Sequence, residues 1–146
     1  STLFPYTTLF RSSYLIYIYV RWQGQTAIRR RGEGDIWQGL WEPMNLTPAE
    51  DEEKSNTQVL PFPLEEGRGK LIAKSFRHVL THRVLLCDFY LWEPTKKPEL
   101  PEGYQWIDEK DIDQYALPRL IELLLHKLNK EYGESPKYVS QEPELI

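Results

Sequence analysis

Residues 29–44 read Arg-Arg-Arg-Gly-Glu-Gly-Asp-Ile-Trp-Gln-Gly-Leu-Trp-Glu-Pro-Met, and the rest of the chain is organised around them. Three arginines lead into Gly32 and Gly34, Trp37 and Trp41 frame Gly39, and Pro43 ends the run. The glycines permit positive φ and close backbone approach, so the segment can turn sharply. Trp37, Leu40 and Trp41 supply apolar surface that a small domain would bury at its centre. On chemistry alone the stretch is a loop entering a core strand, because tryptophan is so often part of a core.

Working outward, residues 14–20 (Tyr-Leu-Ile-Tyr-Ile-Tyr-Val) are dense in β-branched and aromatic side chains and predict a strand. Residues 22–25 form a turn pivoting on Gly24, and residues 26–31 return as a second strand. Residues 39–44 predict a third, short strand. Thr47-Pro48-Ala49-Glu50 opens like a capped helix, with Thr47 at N-cap, Pro48 at N1 and Glu50 at N3. No apolar stripe follows it, so the expectation there is a short helix or an acidic loop. Residues 70–79 and 83–92 predict a hairpin with Leu80-Thr81-His82 at its joint. A linker with three prolines spans residues 94–101, a short edge strand residues 104–107 and a helical turn residues 108–113.

Leu117, Leu120, Ile121, Leu124, Leu125 and Leu128 then recur at helical spacing, one amphipathic face made to lie against a sheet. Pro118 suits the first turn, and Lys127 and Lys130 complement the helix dipole near its end. From residue 133 onward, Pro, Ser and Glu without periodicity predict a disordered tail. Residues 2–12 resemble the in-frame translation of a sequencing adapter, so residues 1–12 are expected to be non-native and one domain to span 13–132. The fold class this implies is α+β, a mixed β-sheet packed against a C-terminal amphipathic helix.

With 27% charged and 40% hydrophobic residues, the 146-residue chain is globular and can bury a proper core. Its net charge of −4 hides a pattern. Residues 67–97 carry seven Lys/Arg against two acids, while residues 46–66 and 98–113 each carry six acids and one lysine. A basic block between acidic ones can face phosphates, although solvated faces also carry such blocks. Cys87, the only cysteine, sits in an apolar run and reads as a small buried hydrophobe. A cytosolic setting, with no membrane partner, is therefore expected.

Nucleophilic catalysis would need a Ser or Cys beside a His that a carboxylate orients, and no such elbow is recognisable. His78 and His82 are four apart, but a strand–turn–strand context gives them no shared helical face for a metal. Gly39-Leu-Trp-Glu-Pro43 resembles the segment leading into the helix of Nudix pyrophosphohydrolases. Those enzymes hold Mg²⁺ through an Arg-Glu-x-x-Glu-Glu helix, and the acidic run 49–53 does not continue into one. The scaffold is recognisable without the metal helix.

Within that scaffold, residues 14–131 are similar to the C-terminal domain of MutY-type A/G-specific adenine DNA glycosylases. Arg30-Arg31 followed by Gly34-Asp35-Ile36-Trp37-Gln38-Gly39-Leu40-Trp41-Glu42-Pro43 resembles that family's Gly-Leu-Trp-Glu-Phe-Pro pattern, lacking its Phe. Phe76-Arg77-His78-Val79-Leu80-Thr81-His82-Arg83 resembles its His-x-Phe-Ser-His hairpin, with Leu at 80 and Thr at 81, and Leu117-Pro118 opens the last helix as in relatives. The resemblance implies a domain that reads 8-oxoguanine opposite the target adenine, in a protein of base excision repair. It implies no catalytic residue and no cofactor in this chain, because the glutamate, aspartate and four-cysteine 4Fe-4S cluster of the family belong to a separate N-terminal domain. The implied partners are double-stranded DNA with 8-oxoguanine opposite adenine and that catalytic domain, the protein acting as a monomer.

The residues agree with this role. Thr81 offers a hydroxyl and backbone groups to a base edge, and His82 can stack or donate. Leu80 can wedge beside a base. Arg77, Arg83, Lys70 and Lys74 can hold phosphates without reading sequence. Two other classes stay open: a stand-alone Nudix nucleotide pyrophosphohydrolase, and a non-catalytic protein-interaction module.

Overall fold

The computed structural model describes residues 11–48 and 67–133. Strand β1 (Arg11–Val20) starts three residues before Tyr14, and Arg11 and Ser12 stand opposite Arg83 and Val84 of a neighbouring strand. After β1, Trp22 and Gln25 exchange both backbone hydrogen bonds, at 2.9 and 2.8 Å. Gln23 and Gly24 between them both have positive φ, +47° and +78°. Two left-handed residues make the turn whose twist matches that of the strands it joins. It delivers the chain into β2 (Gln25–Arg30).

The strand expected at residues 39–44 is in fact two, β3 (Trp41–Glu42) and β4 (Met44–Asn45), and they belong to different sheets. The break falls at Pro43, which has a fixed φ and no N–H to offer a ladder. β3 pairs with β2, whereas β4 pairs with β1. The long strands β5 (Arg68–Leu80) and β6 (Arg83–Glu93) form the expected antiparallel hairpin, and β7 (Tyr104–Asp108) the expected edge. The outcome is a four-stranded sheet in the order β4-β1-β6-β5 and a three-stranded antiparallel sheet β3-β2-β7. β1 and β6 run parallel, so the larger sheet is mixed.

Period-two alternation sends the two faces of the larger sheet into two cores. Tyr17, Tyr19, Leu85, Cys87, Phe89 and Leu91 point to one side, where Leu120, Ile121, Leu124 and Leu128 of helix α1 (Arg119–Tyr132) cover them. Each fully buried leucine there contributes about 1.5–3 kcal/mol by leaving water. On the other side Ile18, Val20 and Trp92 meet Ala27 and Met44. Leu117 and Leu125 are only half-buried, flanking the helical stripe. Pro118 is not in the first turn but at N-cap, its backbone extended, and its carbonyl accepts the first helical bond from Glu122 N–H at 3.1 Å.

The turn at 108–113 is a 3₁₀ helix, Glu109–Gln114. Its first residue is buried, and the Glu109 carboxylate accepts from the Tyr19 hydroxyl at 2.7 Å and Arg21 Nε at 3.0 Å, which ties the turn to β1. Cys87 is the small buried hydrophobe expected, its thiol pushed up to about 12 by burial and by Asp88 beside it. The helix expected from Thr47 would occupy residues outside the described ones. Thr47 itself accepts the Ile16 N–H through its hydroxyl oxygen at 3.0 Å. The expected tail beyond Gly133 likewise lies outside the described residues.

Candidate functional site

The opening stretch folds back on itself as a loop closed by Arg31 N–H to Leu40 carbonyl at 2.8 Å and Gly39 N–H to Arg31 carbonyl at 3.0 Å. Gly39 has φ +83°, a value that side chains rarely adopt, so the closure needs a glycine. Trp37, Leu40 and Trp41, expected at the centre of the core, are each half-buried and rim it instead; the buried residues of the stretch are Glu42, Pro43 and Met44. Glu42 is fully buried and accepts from Arg31 at 2.5 Å, Arg29 at 2.8 Å and the Tyr17 hydroxyl at 2.6 Å. A carboxylate survives burial only when so paired. Burial opposes the charge on Arg31, but its bonds to Asp35 and Glu42 outweigh it and hold the guanidinium above its ordinary range. Two of the three arginines are thus spent on holding the fold together.

At the far end of the larger sheet, Leu80 and Arg83 close the β5–β6 hairpin around Thr81 and His82. Both turn residues are exposed, and neither has a positive φ. Cross-strand partners share a face, which sorts the remaining site residues. Leu80 and Arg83 lie on the helix side with His78 and Leu85, and Leu80 packs against the core there. Burial, with Arg119 nearby, holds the His78 imidazole below its ordinary value of 6.5. Arg77 lies on the opposite face, exposed, beside Val79. Lys74 is further back by roughly 20 Å of strand from Thr81. It is 61% exposed and bonded to Asp88 at 3.0 Å, which raises its ammonium above the ordinary range. The structure therefore gathers Leu80, Thr81, His82 and Arg83 at one tip, and leaves Arg77 and Lys74 along the strand that leads to it.

One grouping was missed by sequence reasoning. Between the arginine loop and the turn end of the hairpin lies a cleft of about 270 Å³, lined among others by Leu15, Arg31, Ile36, Trp37, Arg83 and Leu85. The Arg31 guanidinium lies 5.5 Å over the Trp37 ring, and Ile36 is 55% exposed beside it. Asp35 lines the cleft as well, and the Arg31 guanidinium that covers the Trp37 ring is already paired with Asp35 and Glu42. The Ile36-Trp37 pair after two glycines was the available signal. Among the described residues no three His, Cys, Asp or Glu side chains converge as a metal site, and the acidic run 49–53 lies outside them.

This pairing of sheets and helix is that of a known class. Residues 16–127 match a model of the NUDIX domain, and the chain belongs to that family. Compared with curated proteins by sequence, it matches none. Among solved structures it is similar to the C-terminal domain of mouse MUTYH, solved in complex with human PCNA, with a TM-score of 0.63 at 15% identity over 83% of this chain and 90% of that one. It is also similar to the MutT protein of Methanosarcina mazei Go1 (TM-score 0.54, 14% identity, 84% of this chain and 96% of that one). A Nudix hydrolase of M. smegmatis, RenU, gives a TM-score of 0.52 at 10% identity over 80% and 82% of the two chains. At such identities the likeness is one of fold. No helix among the described residues is long and apolar enough to cross a membrane.

Proposed function

We propose that this chain is the lesion-recognition domain of an A/G-specific adenine DNA glycosylase, reading 8-oxoguanine opposite the target adenine in double-stranded DNA. The observation that carries this is the hairpin end, where exposed Thr81 and His82 project beyond the sheet between Arg77 and Arg83. Neither arginine pairs with a described acid. Oxidation at C8 turns N7 of guanine from an acceptor into a donor, so an acceptor aimed at N7 tells the two bases apart. The Thr81 hydroxyl and the carbonyls of the turn are such acceptors, while Arg77 and Arg83 hold phosphates on either side. Hydrolysis of the adenine N-glycosidic bond, on a flipped-out base, is assigned to a separate catalytic domain carrying the 4Fe-4S cluster.

The test is binding to duplexes with 8-oxoguanine or guanine opposite adenine, by this chain and by Thr81→Ala. The chain is expected to prefer the damaged duplex, and the substitution to shrink that preference about five-fold, the worth of one hydrogen bond. Equal affinity for both duplexes would overturn the proposal. The cleft between Arg31, Trp37 and Arg83 favours a second reading, Mg²⁺-dependent hydrolysis of a nucleotide seated there. Release of phosphate or pyrophosphate from 8-oxo-dGTP by this chain, scaling with enzyme and lost in Trp37→Ala, would support that reading instead.

A further inference from the structure

We infer that Asp88 is a positioning residue for the hairpin: from the middle of β6 it locks a bulge in β5, and so fixes which side chains of the tip face outward. The inference rests on the lesion-reading role proposed above. β5 does not pair with β6 in one register, for Leu71 stands opposite Tyr90, Ala73 opposite Phe89 and Phe76 opposite Cys87. Residues are inserted twice over this short stretch, and at the second insertion Ser75 sits at φ +53°, a conformation costly for a residue with a Cβ.

A bulged residue loses its ladder partner, and its N–H must find another acceptor. Asp88 supplies it: Oδ1 accepts the Ser75 N–H at 2.8 Å. The same oxygen accepts the Tyr14 hydroxyl of β1 at 2.8 Å, and Oδ2 accepts Lys74 Nζ at 3.0 Å. The Tyr14 hydroxyl oxygen also lies 3.0 Å from Ser75 Oγ, the two hydroxyls sharing a hydrogen bond. Asp88 is fully buried, so this one carboxylate ties β1, β5 and β6 together from inside the sheet.

The consequence lies toward the tip. With the bulge in place, Phe76, His78 and Leu80 turn toward α1, while Arg77 and Val79 turn to the other face. A slip of one residue would exchange the two sets, burying Arg77 and exposing Phe76. It would also shift the turn, so that Thr81 and His82 no longer stood at the end of the hairpin. The lock acts at a distance from the lesion and does not touch it.

The experiment uses the full chain carrying Asp88→Asn, with two readouts. One is amide hydrogen exchange at residues 79–83, measured relative to α1; the other is the affinity ratio between duplexes with 8-oxoguanine and guanine. Exchange at the tip is expected to quicken about ten-fold over that of α1, as loss of a charge-assisted hydrogen bond predicts, with discrimination falling alongside. Ser75→Gly keeps the N–H bond and eases the backbone, so it should retain both tip protection and discrimination. Unchanged tip exchange in folded Asp88→Asn overturns the inference, as does a loss of stability spread evenly over α1 and the hairpin. Should Asp88→Asn not fold, Tyr14→Phe removes the hydroxyl that bonds both Asp88 and Ser75 and is read the same way, an unchanged tip again overturning the lock. If the unsubstituted chain shows no preference for 8-oxoguanine, the lesion-reading proposal fails, and the exchange data alone decide whether Asp88 positions the hairpin.

Discussion

At the scale of single residues, the most consequential is Glu42. Its carboxylate is fully buried between Arg29 and Arg31, and removing its charge leaves two guanidiniums facing one another. Glu42→Gln is expected to lower stability by about 3 kcal/mol, near the lower end for a broken buried pair, because Arg29 is 39% exposed. Urea denaturation at neutral pH measures it. His78 gives a second prediction. The fold resists its protonation, whereas the unfolded chain accepts a proton near the ordinary 6.5. Below that pH the unfolded state therefore binds more protons, and stability falls as the pH drops through the window between the two values. A shallow decline in Tm that sets in as the pH falls through about 6.5, and that disappears in His78→Gln, is the expected result.

At the scale of elements, the sheet is more exacting than the helix. Leu124→Ala in α1 should cost about 3 kcal/mol, within the 2–5 usual for a buried leucine. Gly67, at the entrance to β5, is constrained more tightly. A Cβ there would collide with the Glu93 carbonyl oxygen and meet Pro94 Cα at 2.7 Å, and its φ is +97°. Gly103 has a similar φ, +92°, but open space around it. Gly67→Ala is expected to destabilise the chain by at least about 1 kcal/mol more than Gly103→Ala, and the difference in urea midpoint isolates the clash from the strain. Equal effects would show that the start of β5 yields.

At the scale of the whole molecule, the proposed duplex binding requires a chain of net charge −4 to approach a polyanion, so the cations near the hairpin would have to act locally. Lys74, Arg77 and Arg83 bound the salt dependence of duplex binding at a slope of about −3 in log K against log salt. Arg77→Ala should reduce that slope by about one and weaken binding to damaged and undamaged duplexes alike. An effect on only one duplex would make Arg77 a reader of the base and not of the phosphate. Because both cores are built away from the hairpin turn, substitutions at the tip are expected to leave the rest folded. The residues that project at Thr81 and His82 belong to neither buried cluster.

Much of this architecture was legible in the chain. The leucine spacing from 117 to 128 gives the helix and its buried face, because a period of 3.6 has one geometric meaning. The strand character of residues 70–79 and 83–92, with Leu80-Thr81-His82 at their joint, gives the hairpin and its exposed end for the same kind of local reason. The family pattern around Gly39 and Trp41 likewise names the fold that the comparison bears out. Tertiary structure alone decided the rest. It split the third strand at Pro43 between two sheets, buried Glu42 among arginines more than ten residues upstream, and joined the 31–37 loop to Arg83 across a cleft. It also set Asp88, a lone acid in an apolar run, under the bulge at Ser75. Spacing along the chain fixes which face a side chain takes; which distant backbone it meets there depends on strand order and register, and those are settled only when the sheet closes.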